Sequence, residues 1–375
     1  MADTYKRLIL EGIGGPWRMD EAEIPTPGVG QILVKMKVSS ICNQTDLNTI
    51  RGYHPPHDYQ IQMMVPHDMR KYRGAVPDEL SDVYPSRDYP FNPYPTTMGH
   101  EGMGEIVAIG PMPEPVQKFA HPHGRLMDLT PTFKVGDRVG LTGTIGGFGE
   151  YVLTVPEECV LIPDTLTDEQ ASLTEPVMVV SGVIKQCVRQ DDDVLILGQG
   201  ALGLIATQLA KLYGARRIIT TEPVAFKREL SKKFGADIVL DPNETNIVHA
   251  IEEITNGRGM PVIIECAGVP DTIRMIPYLA EYQCRVGQIG ACCEPVLTDW
   301  SYIHFKGMRI TCQMQGNLVG TTPGHSGKRA VKLMERMDLD SLITHRLDFT
   351  VEATEQIFKE IEEKADVIKA IYTFK

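Results

Sequence analysis

Residues of the types that bind metals occur at three places far apart in the 375-residue chain. They are Cys42, the pair His100-Glu101 directly after Gly99, and Glu175 in a Thr-Glu-Pro sequence. Thiolate, imidazole and carboxylate ligands together suit a tetrahedral Zn²⁺ that keeps one position open for water or substrate. On spacing alone, a buried cysteine, a structural histidine and a helix-starting glutamate would explain the same residues without a metal.

A second group of residues has the spacing of a dinucleotide-binding turn, G-x-G-x-x-G. Its first glycine permits a tight bend, the second lets a pyrophosphate approach the backbone, and the third allows close packing of the following helix. The helix N-terminus adds a partial positive charge. An apolar strand precedes the segment and a helix follows it, which distinguishes it from a chance glycine-rich turn. The predicted cofactor-binding residues are Gly198, Gly200, Ala201, Leu202 and Gly203.

An acidic residue, Glu222, lies 19 residues after Gly203, at the end of the next predicted strand. A carboxylate there can accept hydrogen bonds from the adenosine ribose hydroxyls and repels a 2′-phosphate, so it favours NAD over NADP. The basic pair Lys227 and Arg228 follows closely and could reach a phosphate, and we include Lys227 among the cofactor-binding residues. The alternative interpretation is an ordinary turn followed by a surface glutamate.

The elements that must position these residues change in character near residue 180. The first half favours short strands at 31–38, 104–110 and 149–153, with a turn leading into a strand at 133–139. Such a pattern is typical of a compact β domain. The second half alternates strands and helices, which indicates a parallel, doubly wound sheet. Its predicted elements are strands at 194–197, 217–221, 237–240, 262–266 and 285–289, and helices at 201–213 and 224–234. The final 50 residues return to a mixed pattern, with an amphipathic helix predicted at 351–358.

Length and composition limit the classes of protein to consider. The chain is long enough for two domains, and 42% hydrophobic residues can supply their cores. A formal charge of −12 argues against nucleic acid or an acidic membrane surface as the main partner. No apolar run approaches the ~18 residues of a membrane span. Because the N-terminus lacks an apolar signal core and the eight cysteines form no CxxC pair, we expect a cytoplasmic protein with reduced thiols.

Several blocks of sequence, in the same order along the chain, resemble the zinc-dependent branch of the medium-chain dehydrogenase/reductase family. The resemblance covers nearly the full length. It implies an α/β fold in which a GroES-like β-rich catalytic domain, residues 1–180 with 318–375, accompanies a Rossmann NAD-binding domain, residues 181–317. The matching blocks are Leu33 to Cys42, Gly99 to Val107, Phe133 to Val139, Gly146 to Val152, Ala171 to Pro176, and Ile264 to Gly268.

The resemblance assigns roles to the residues noted above. Family members bind the catalytic zinc with residues at the places of Cys42 and His100, and Glu101 is similar to a carboxylate that binds the metal or exchanges with its water. Glu175 falls where alcohol dehydrogenases have a second cysteine and polyol dehydrogenases a glutamate, so the site resembles the polyol branch. Asp46 resembles a carboxylate that orients the zinc histidine through its other ring nitrogen.

Three features of this chain depart from the family pattern. The family's Cys-x-Ser/Thr-Asp is one residue longer here, so Gln44 or Thr45 could take the hydroxyl-relay position, and only Thr45 has a hydroxyl. If the register shifts instead, Asn43 would replace the zinc cysteine. A histidine that serves the proton relay in many relatives is Asn48 here. The four-cysteine lobe for a structural zinc is missing, so we expect one catalytic zinc ion only.

The resemblance implies a zinc- and NAD-dependent oxidoreductase that interconverts a polar secondary alcohol, of the polyol, sugar or anionic diol type, and its ketone. Thr45 and Glu101 are its predicted catalytic residues, and relatives are commonly homodimers or homotetramers. A zinc-free NAD(P)H reductase of the same superfamily is one alternative, and a non-catalytic nucleotide-binding protein is another.

One segment, residues 53–96, is rich in Pro, Tyr, His and Asp and has little periodicity. Long loops of this kind are usually functional or oligomeric. Most of the 57 residues that separate Cys42 from His100 lie in it, many more than in the family. A surface or subunit-interface loop is one interpretation, and a lid whose basic residues recognise an anionic or hydroxylated substrate is another. The basic residues concerned are Arg70, Lys71, Arg73 and Arg87.

Overall fold

The computed structural model describes residues 3–52, 94–111, 133–292, 296–312, 323–363 and 366–374. Within these ranges the N-terminal part of the chain and its last two strands form two β-sheets. Their strands are β1 (Thr4–Leu10), β2 (Trp17–Glu23), β3 (Ile32–Ser40), β4 (Thr96–Thr97), β5 (Glu101–Ile109), β6 (Arg138–Leu141), β7 (Tyr151–Thr154), β8 (Cys159–Leu161), β15 (Ile343–Leu347) and β16 (Lys369–Thr373). The smaller sheet has the order β2-β1-β4, and the larger has the order β15-β16-β3-β5-β6-β8 with β7 also paired to β3.

A six-stranded parallel sheet follows along the chain, in the order β11-β10-β9-β12-β13-β14. Its strands are β9 (Asp193–Leu197), β10 (Arg217–Thr221), β11 (Ile238–Leu240), β12 (Met260–Glu265), β13 (Ala280–Gln288) and β14 (Arg309–Cys312). The central strand β9 is buried along its whole length, as its apolar run from Val194 to Leu197 predicts for a strand covered on both faces.

Helices cover the sheets and join their strands. They are α1 (Thr45–Ile50), α2 (Asp168–Ala171), α3 (Thr174–Cys187), α4 (Ala201–Leu212), α5 (Ala225–Phe234), α6 (Ile247–Thr255), α7 (Pro270–Leu279), α8 (Trp300–Phe305), α9 (Pro323–Met334) and α10 (Val351–Glu362). None of the helices in the described ranges has the length and apolar character needed to cross a bilayer.

The α/β fold class predicted from the sequence is confirmed, and most predicted elements are found within a residue or two of the expected bounds. The largest difference is at β13, which begins at Ala280 and not at residue 285 as predicted. Its first half carries exposed polar residues, such as Gln283, that hide the strand from an apolar pattern.

Helix α3 connects the two parts of the core. Apolar residues occupy most positions from Thr174 to Ile184, and this part of the helix is buried on every side, whereas Lys185 and Gln186 in the last turn are exposed. Val180 and Ile184 are fully buried in one cluster with Ile196 of the parallel sheet and Met103 of the larger antiparallel sheet. Each such side chain contributes about 1.5–3 kcal/mol through burial. The N-terminus of α3, with Glu175, is thereby held between the two sheets.

The order of strands in the larger sheet also brings distant residues together. Strand β3 lies between β5 and β16 and is antiparallel to both. The carboxyl end of β3 therefore meets the first residues of its neighbours: Ser40 pairs with Glu101 and also with Ile371. Cys42 lies two residues after the end of β3, so its position near Glu101 is a consequence of strand order.

Candidate active site

Three of the residues proposed from the sequence as metal ligands form a cluster at this end of β3. One ligand atom of each of Cys42, His100 and Glu101 lies within 4.8 Å of those of the other two. A zinc site that does chemistry uses three such protein ligands and keeps the fourth position open. The donor chemistry of the cluster therefore fits Zn²⁺, and Cys42 is the residue of the loop after β3 that belongs to the cluster.

Asp46, in the first turn of α1, supports two members of the cluster. Its Oδ2 accepts a hydrogen bond from the Cys42 backbone N–H at 2.9 Å, and its Oδ1 lies 3.5 Å from His100 Nδ1. Its side chain is only 3% exposed. A carboxylate at Nδ1 fixes the imidazole so that Nε2 is the nitrogen left for a metal.

The surroundings of His100 favour a positive charge at this place. Burial alone would lower the pKa of His100, but hydrogen bonds with Asp46 and Cys42 raise that pKa well above its usual value. Anionic groups that hold a proton on a buried imidazole also attract a metal cation, which then competes with that proton.

Glu101 has a cationic partner that the sequence did not reveal. Lys369, the first residue of β16, forms an ion pair with Glu101 Oε2 and donates a hydrogen bond to the Ile41 carbonyl at 3.0 Å. Ser40 Oγ donates to the same Oε2 at 2.8 Å. Both contacts to the carboxylate use Oε2, so Glu101 can bind a metal through Oε1 without losing them. The only local signal was a lysine at the start of an otherwise apolar strand.

Glu175 is buried near the cluster but is not one of the three residues whose ligand atoms lie together. Burial raises the pKa of Glu175 to about 7, with the charge of His100 opposing this rise and that of Glu101 adding to it. The structure therefore places Glu175 within the electric field of the site without placing it in the three-residue cluster.

The residues between Cys42 and Asp46 have different partners. The Asn43 side-chain amide donates to the Ile368 carbonyl at 3.0 Å. The Gln44 side chain pairs with the backbone of Ala291, in the loop after β13. Of the two residues considered for the hydroxyl relay, Thr45 begins α1 and carries a hydroxyl, and Gln44 carries none.

The glycine-rich turn has the geometry that its spacing predicts. Gly198 has a φ of +87°, and a Cβ there would lie 2.8 Å from the Ala267 side chain. A Cβ on Gly203 would lie 1.9 Å from the Gly198 carbonyl oxygen. A Cβ on Gly200 would meet nothing within 4 Å, so this glycine, at the N-terminus of α4, borders open space.

Glu222 lies beside this turn, after β10. Its two carboxylate oxygens accept hydrogen bonds from the backbone N–H groups of Gln199, at 2.8 Å, and Val224, at 3.0 Å. Arg228, which could otherwise offer its charge to a phosphate, forms an ion pair with Asp241 at 2.7 Å. Lys227 lies on α5, half buried. Of the helix residues predicted to bind the cofactor, Ala201 and Leu202 form the first turn of α4.

Most of the predicted insertion lies outside the described residues. This applies to its four basic residues, Arg70, Lys71, Arg73 and Arg87.

Comparison with known families gives two matches that together span most of the chain. Residues 28–164 match the model described as the alcohol dehydrogenase GroES-like domain, and residues 201–337 match the model described as zinc-binding dehydrogenase. The first match contains the three-residue cluster, and the second begins within the glycine-rich turn.

Among curated proteins, the chain is similar to the L-threonine 3-dehydrogenase of Pyrococcus horikoshii, with 28% identity over 344 residues that cover 87% of this chain and 86% of the relative. Among solved structures, it resembles 2R,3R-butanediol dehydrogenase from Bacillus subtilis, with a TM-score of 0.74, 22% identity, and 99% and 100% of the two chains covered. Galactitol-1-phosphate dehydrogenase from Escherichia coli gives a TM-score of 0.74 at 21% identity, with 98% and 100% covered. At these identities the two structures show the fold.

Proposed function

Because the chain belongs to the zinc-dependent medium-chain dehydrogenase family and is an oxidoreductase of the alcohol dehydrogenase type, we propose that it interconverts a polar secondary alcohol and its ketone with NAD. The observation that carries this proposal is the cluster of Cys42, His100 and Glu101, whose ligand atoms lie within 4.8 Å of one another. We propose Cys42 and His100 as zinc ligands, Glu101 as a carboxylate that binds the metal or exchanges with its water, and Glu175 as a further ligand that must move to join them.

Zinc at this place supplies Lewis-acid chemistry, which lowers the pKa of an alcohol. The chain's own residues prepare the site for it. Asp46 holds the His100 ring, while Lys369 and Ser40 hold one oxygen of Glu101. The Thr45 hydroxyl is the group proposed to move the substrate proton, because Thr45 lies three residues after Cys42, at the start of α1.

NAD is the cofactor that the nucleotide site supports, and it accepts the hydride. Gly200 borders open space at the N-terminus of α4, where a pyrophosphate finds backbone N–H groups and the positive end of the helix. Glu222 presents a carboxylate, which repels a 2′-phosphate. The ion pair of Arg228 with Asp241 removes one of the two cations that could have favoured NADP.

The proposed substrate class is a polar alcohol with a second polar group close to the reacting carbon. Glu175 at the position of a polyol-type ligand supports it. The names of the relatives also support this substrate class, because those proteins act on threonine, a butanediol and a sugar-alcohol phosphate. The cluster is buried and contains charged groups. A substrate with several hydroxyl groups can take the place of the water molecules bound to such groups.

The test is metal analysis of the purified protein together with NADH formation on a panel of polyols, sugar acids, amino alcohols and anionic diols. We expect one zinc per chain and activity on one of these classes. Cys42→Ser should lose zinc and turnover, while the matched change Cys312→Ser, at an exposed thiol on β14, should retain both. Reduction that needs NADPH and no zinc would favour a zinc-free reductase, and an absence of turnover with bound nucleotide would favour a binding protein.

We also propose that the protein acts as a homo-oligomer, a dimer or tetramer, in the cytoplasm. Large apolar side chains lie exposed on α8 and on β14, the last of the described strands in the parallel sheet: Trp300 is 67% exposed, Phe305 78% and Ile310 47%. Among the described strands β14 has a partner on one side only, and exposed apolar groups near such a strand favour association. Light scattering on the purified protein tests the proposal, and a monomer at all concentrations would contradict it.

A further inference from the structure

The side chain of Gln44 connects the metal-binding loop to the parallel sheet. Its Nε2 donates to the Ala291 carbonyl at 2.8 Å, and its Oε1 accepts from the Ala291 N–H at 3.0 Å. One amide thus makes the two-bond pairing that one strand residue makes with another. Gln44 lies two residues after the proposed ligand Cys42, and Ala291 follows β13, so the pair joins elements 247 residues apart in sequence.

A second loop of the parallel sheet also contacts this amide. Gln44 Nε2 lies 3.5 Å from the Ala267 carbonyl oxygen, in the loop after β12. A Cβ on the next residue, Gly268, would lie only 2.0 Å from the same nitrogen. The glutamine therefore occupies space that is open only because residue 268 is glycine. Ala267 in turn packs against Gly198, the first glycine of the nucleotide turn.

The two loops that receive Gln44 are held together by Glu265, at the end of β12. Its Oε1 accepts hydrogen bonds from the N–H groups of Ala267 and Gly268, both at 2.9 Å, and from Thr272 Oγ1 at 2.8 Å. Its Oε2 accepts from Gln288 Nε2 at 2.6 Å. Since this carboxylate is fully buried and satisfied by four donors, it makes a stiff receptor for the glutamine.

These contacts run without interruption from the nucleotide turn to the metal ligands. Gly198 touches Ala267, Ala267 and Ala291 face Gln44, and Gln44 shares its loop with Cys42. Nucleotides bind at the carboxyl ends of parallel strands, which is where these loops lie. Gln44 belongs to the extra residue length between Cys42 and Asp46, so this connection is a feature of this chain and not of the family pattern.

We propose that Gln44 is a positioning residue, an amide clasp through which nucleotide binding and metal binding influence each other. This inference rests on the proposed function, since it requires both ligands. A coupling between two sites is reciprocal, and it is measured as the factor by which one ligand changes the affinity for the other. The clasp therefore makes a prediction about binding alone, with no substrate required.

The experiment measures NADH affinity by fluorescence in the zinc-loaded and zinc-free forms of the full chain. In the wild-type protein, zinc should change the NADH dissociation constant by about tenfold. In Gln44→Met, which keeps the length and loses both hydrogen bonds, the factor should fall to about one. The control is Gln31→Met, which removes a hydrogen bond to Gly28 far from the junction and should retain the wild-type factor.

Two further variants keep the test valid if Gln44→Met folds poorly. Gln44→Glu keeps the acceptor for the Ala291 N–H and loses the donor, so its factor should lie between those of wild type and Gln44→Met. Gly268→Ala should displace the glutamine from the opposite side and reduce the factor. The double variant Gln44→Met/Gly268→Ala should reduce it no further, because both changes break one connection.

The outcomes separate this inference from the proposed function. Failure of the wild-type chain to bind NADH or zinc would overturn the proposed function, and the clasp with it. If both ligands bind and the zinc factor is equal in wild type and Gln44→Met, or is lost equally in Gln31→Met, the clasp alone is wrong. Hydrogen exchange gives a second readout: NADH should slow exchange at residues 42–46 in wild type and not in Gln44→Met.

Discussion

At the scale of single residues, the ion pair between Lys369 and Glu101 compensates negative charge that is buried in the cluster. Both side chains are at most 2% exposed, so each charge depends on the other for compensation. Burial would lower the pKa of Lys369, but Glu101 and Cys42 raise that pKa above its usual value, so the lysine keeps its charge. The protein thus places the buried ammonium group of Lys369 beside the acids that surround the proposed metal position.

The first prediction follows from this pair. Lys369→Met should lower the free energy of unfolding by about 3–5 kcal/mol, because it leaves Glu101 buried without its counter-charge. Urea denaturation measures the change, and Lys369→Arg, which keeps the charge, should recover much of it. The matched control is Lys37→Met on β3: its partner Glu105 is 3.8 Å away and 42% exposed, so less than about 1 kcal/mol should be lost. Equal losses in the two methionine variants would contradict the argument.

At the scale of elements, two glycines at the start of α4 have different roles. Gly203 permits close packing of the helix, and Gly200 leaves open space beside the turn. Gly203→Ala places a Cβ 1.9 Å from the Gly198 carbonyl oxygen, so the helix must move away from β9 and stability should fall by about 1–3 kcal/mol. Gly200→Ala meets no atom within 4 Å and should fold normally.

The same pair of variants differs in the opposite sense in cofactor binding. Gly200→Ala fills space that a pyrophosphate needs, so NADH affinity should fall by about tenfold or more while the melting temperature changes little. Calorimetry and NADH fluorescence on both variants check the two halves. A Gly200→Ala protein with normal NADH affinity would show that the phosphates do not approach this turn.

The start of β9 provides a pH-dependent prediction. Burial alone would raise the pKa of Asp193, but hydrogen bonds from Arg216 and Arg217 lower it below 3.8. A depressed pKa means that this carboxylate stabilises the fold above pH 3.8 and loses its contribution as the pH falls through its folded-state pKa. Asp193→Asn should therefore cost about 1.5–3 kcal/mol at neutral pH and progressively less in acid.

Denaturation midpoints of the wild type and Asp193→Asn, measured from neutral pH down through the folded-state pKa of Asp193, give the size of the effect. Asp271→Asn is the control, because its partner Arg274 lies on the same exposed helical turn and the carboxylate is 85% exposed. That control should change stability by less than about 0.5 kcal/mol at either pH. A constant difference between wild type and Asp193→Asn from neutral pH into acid would refute the linkage.

At the scale of the whole molecule, what the sequence could predict depends on how far apart the interacting residues are. The strand 194–197, the glycine turn and helix α4 are contiguous, so local periodicity and turn chemistry were enough to predict them. Cys42, His100 and Glu101 were identified by their residue types and sequence contexts, and strand pairing explains why they meet. The substrate was beyond reach, since Glu175 alone indicates only a ligand class.

The residues that sequence reasoning missed are those whose partners are remote and chemically ordinary. Lys369 is 268 residues from Glu101, and its one local signal is its place at the start of an otherwise apolar strand. The sequence suggests Gln44 only as a relay position, because its partner is a backbone carbonyl, a group that every residue type carries. Glu265 belongs to a recognised block, yet its four hydrogen bonds depend on loops from two strands. Tertiary context, not propensity, determines such roles.

Removing the metal tests the relation between the two halves of the molecule. The core around α3 and the nucleotide turn do not depend on Cys42, so a chelator should abolish turnover and leave the fold and NADH binding in place. NADH affinity should change by no more than about tenfold, the limit set by the coupling through Gln44. Circular dichroism and NADH fluorescence follow the stripped protein, and added zinc should restore turnover where magnesium, which prefers oxygen ligands, does not. Unfolding on chelation would instead show that the metal stabilises the fold. It would contradict the expectation that the fold and the NADH site do not depend on the metal.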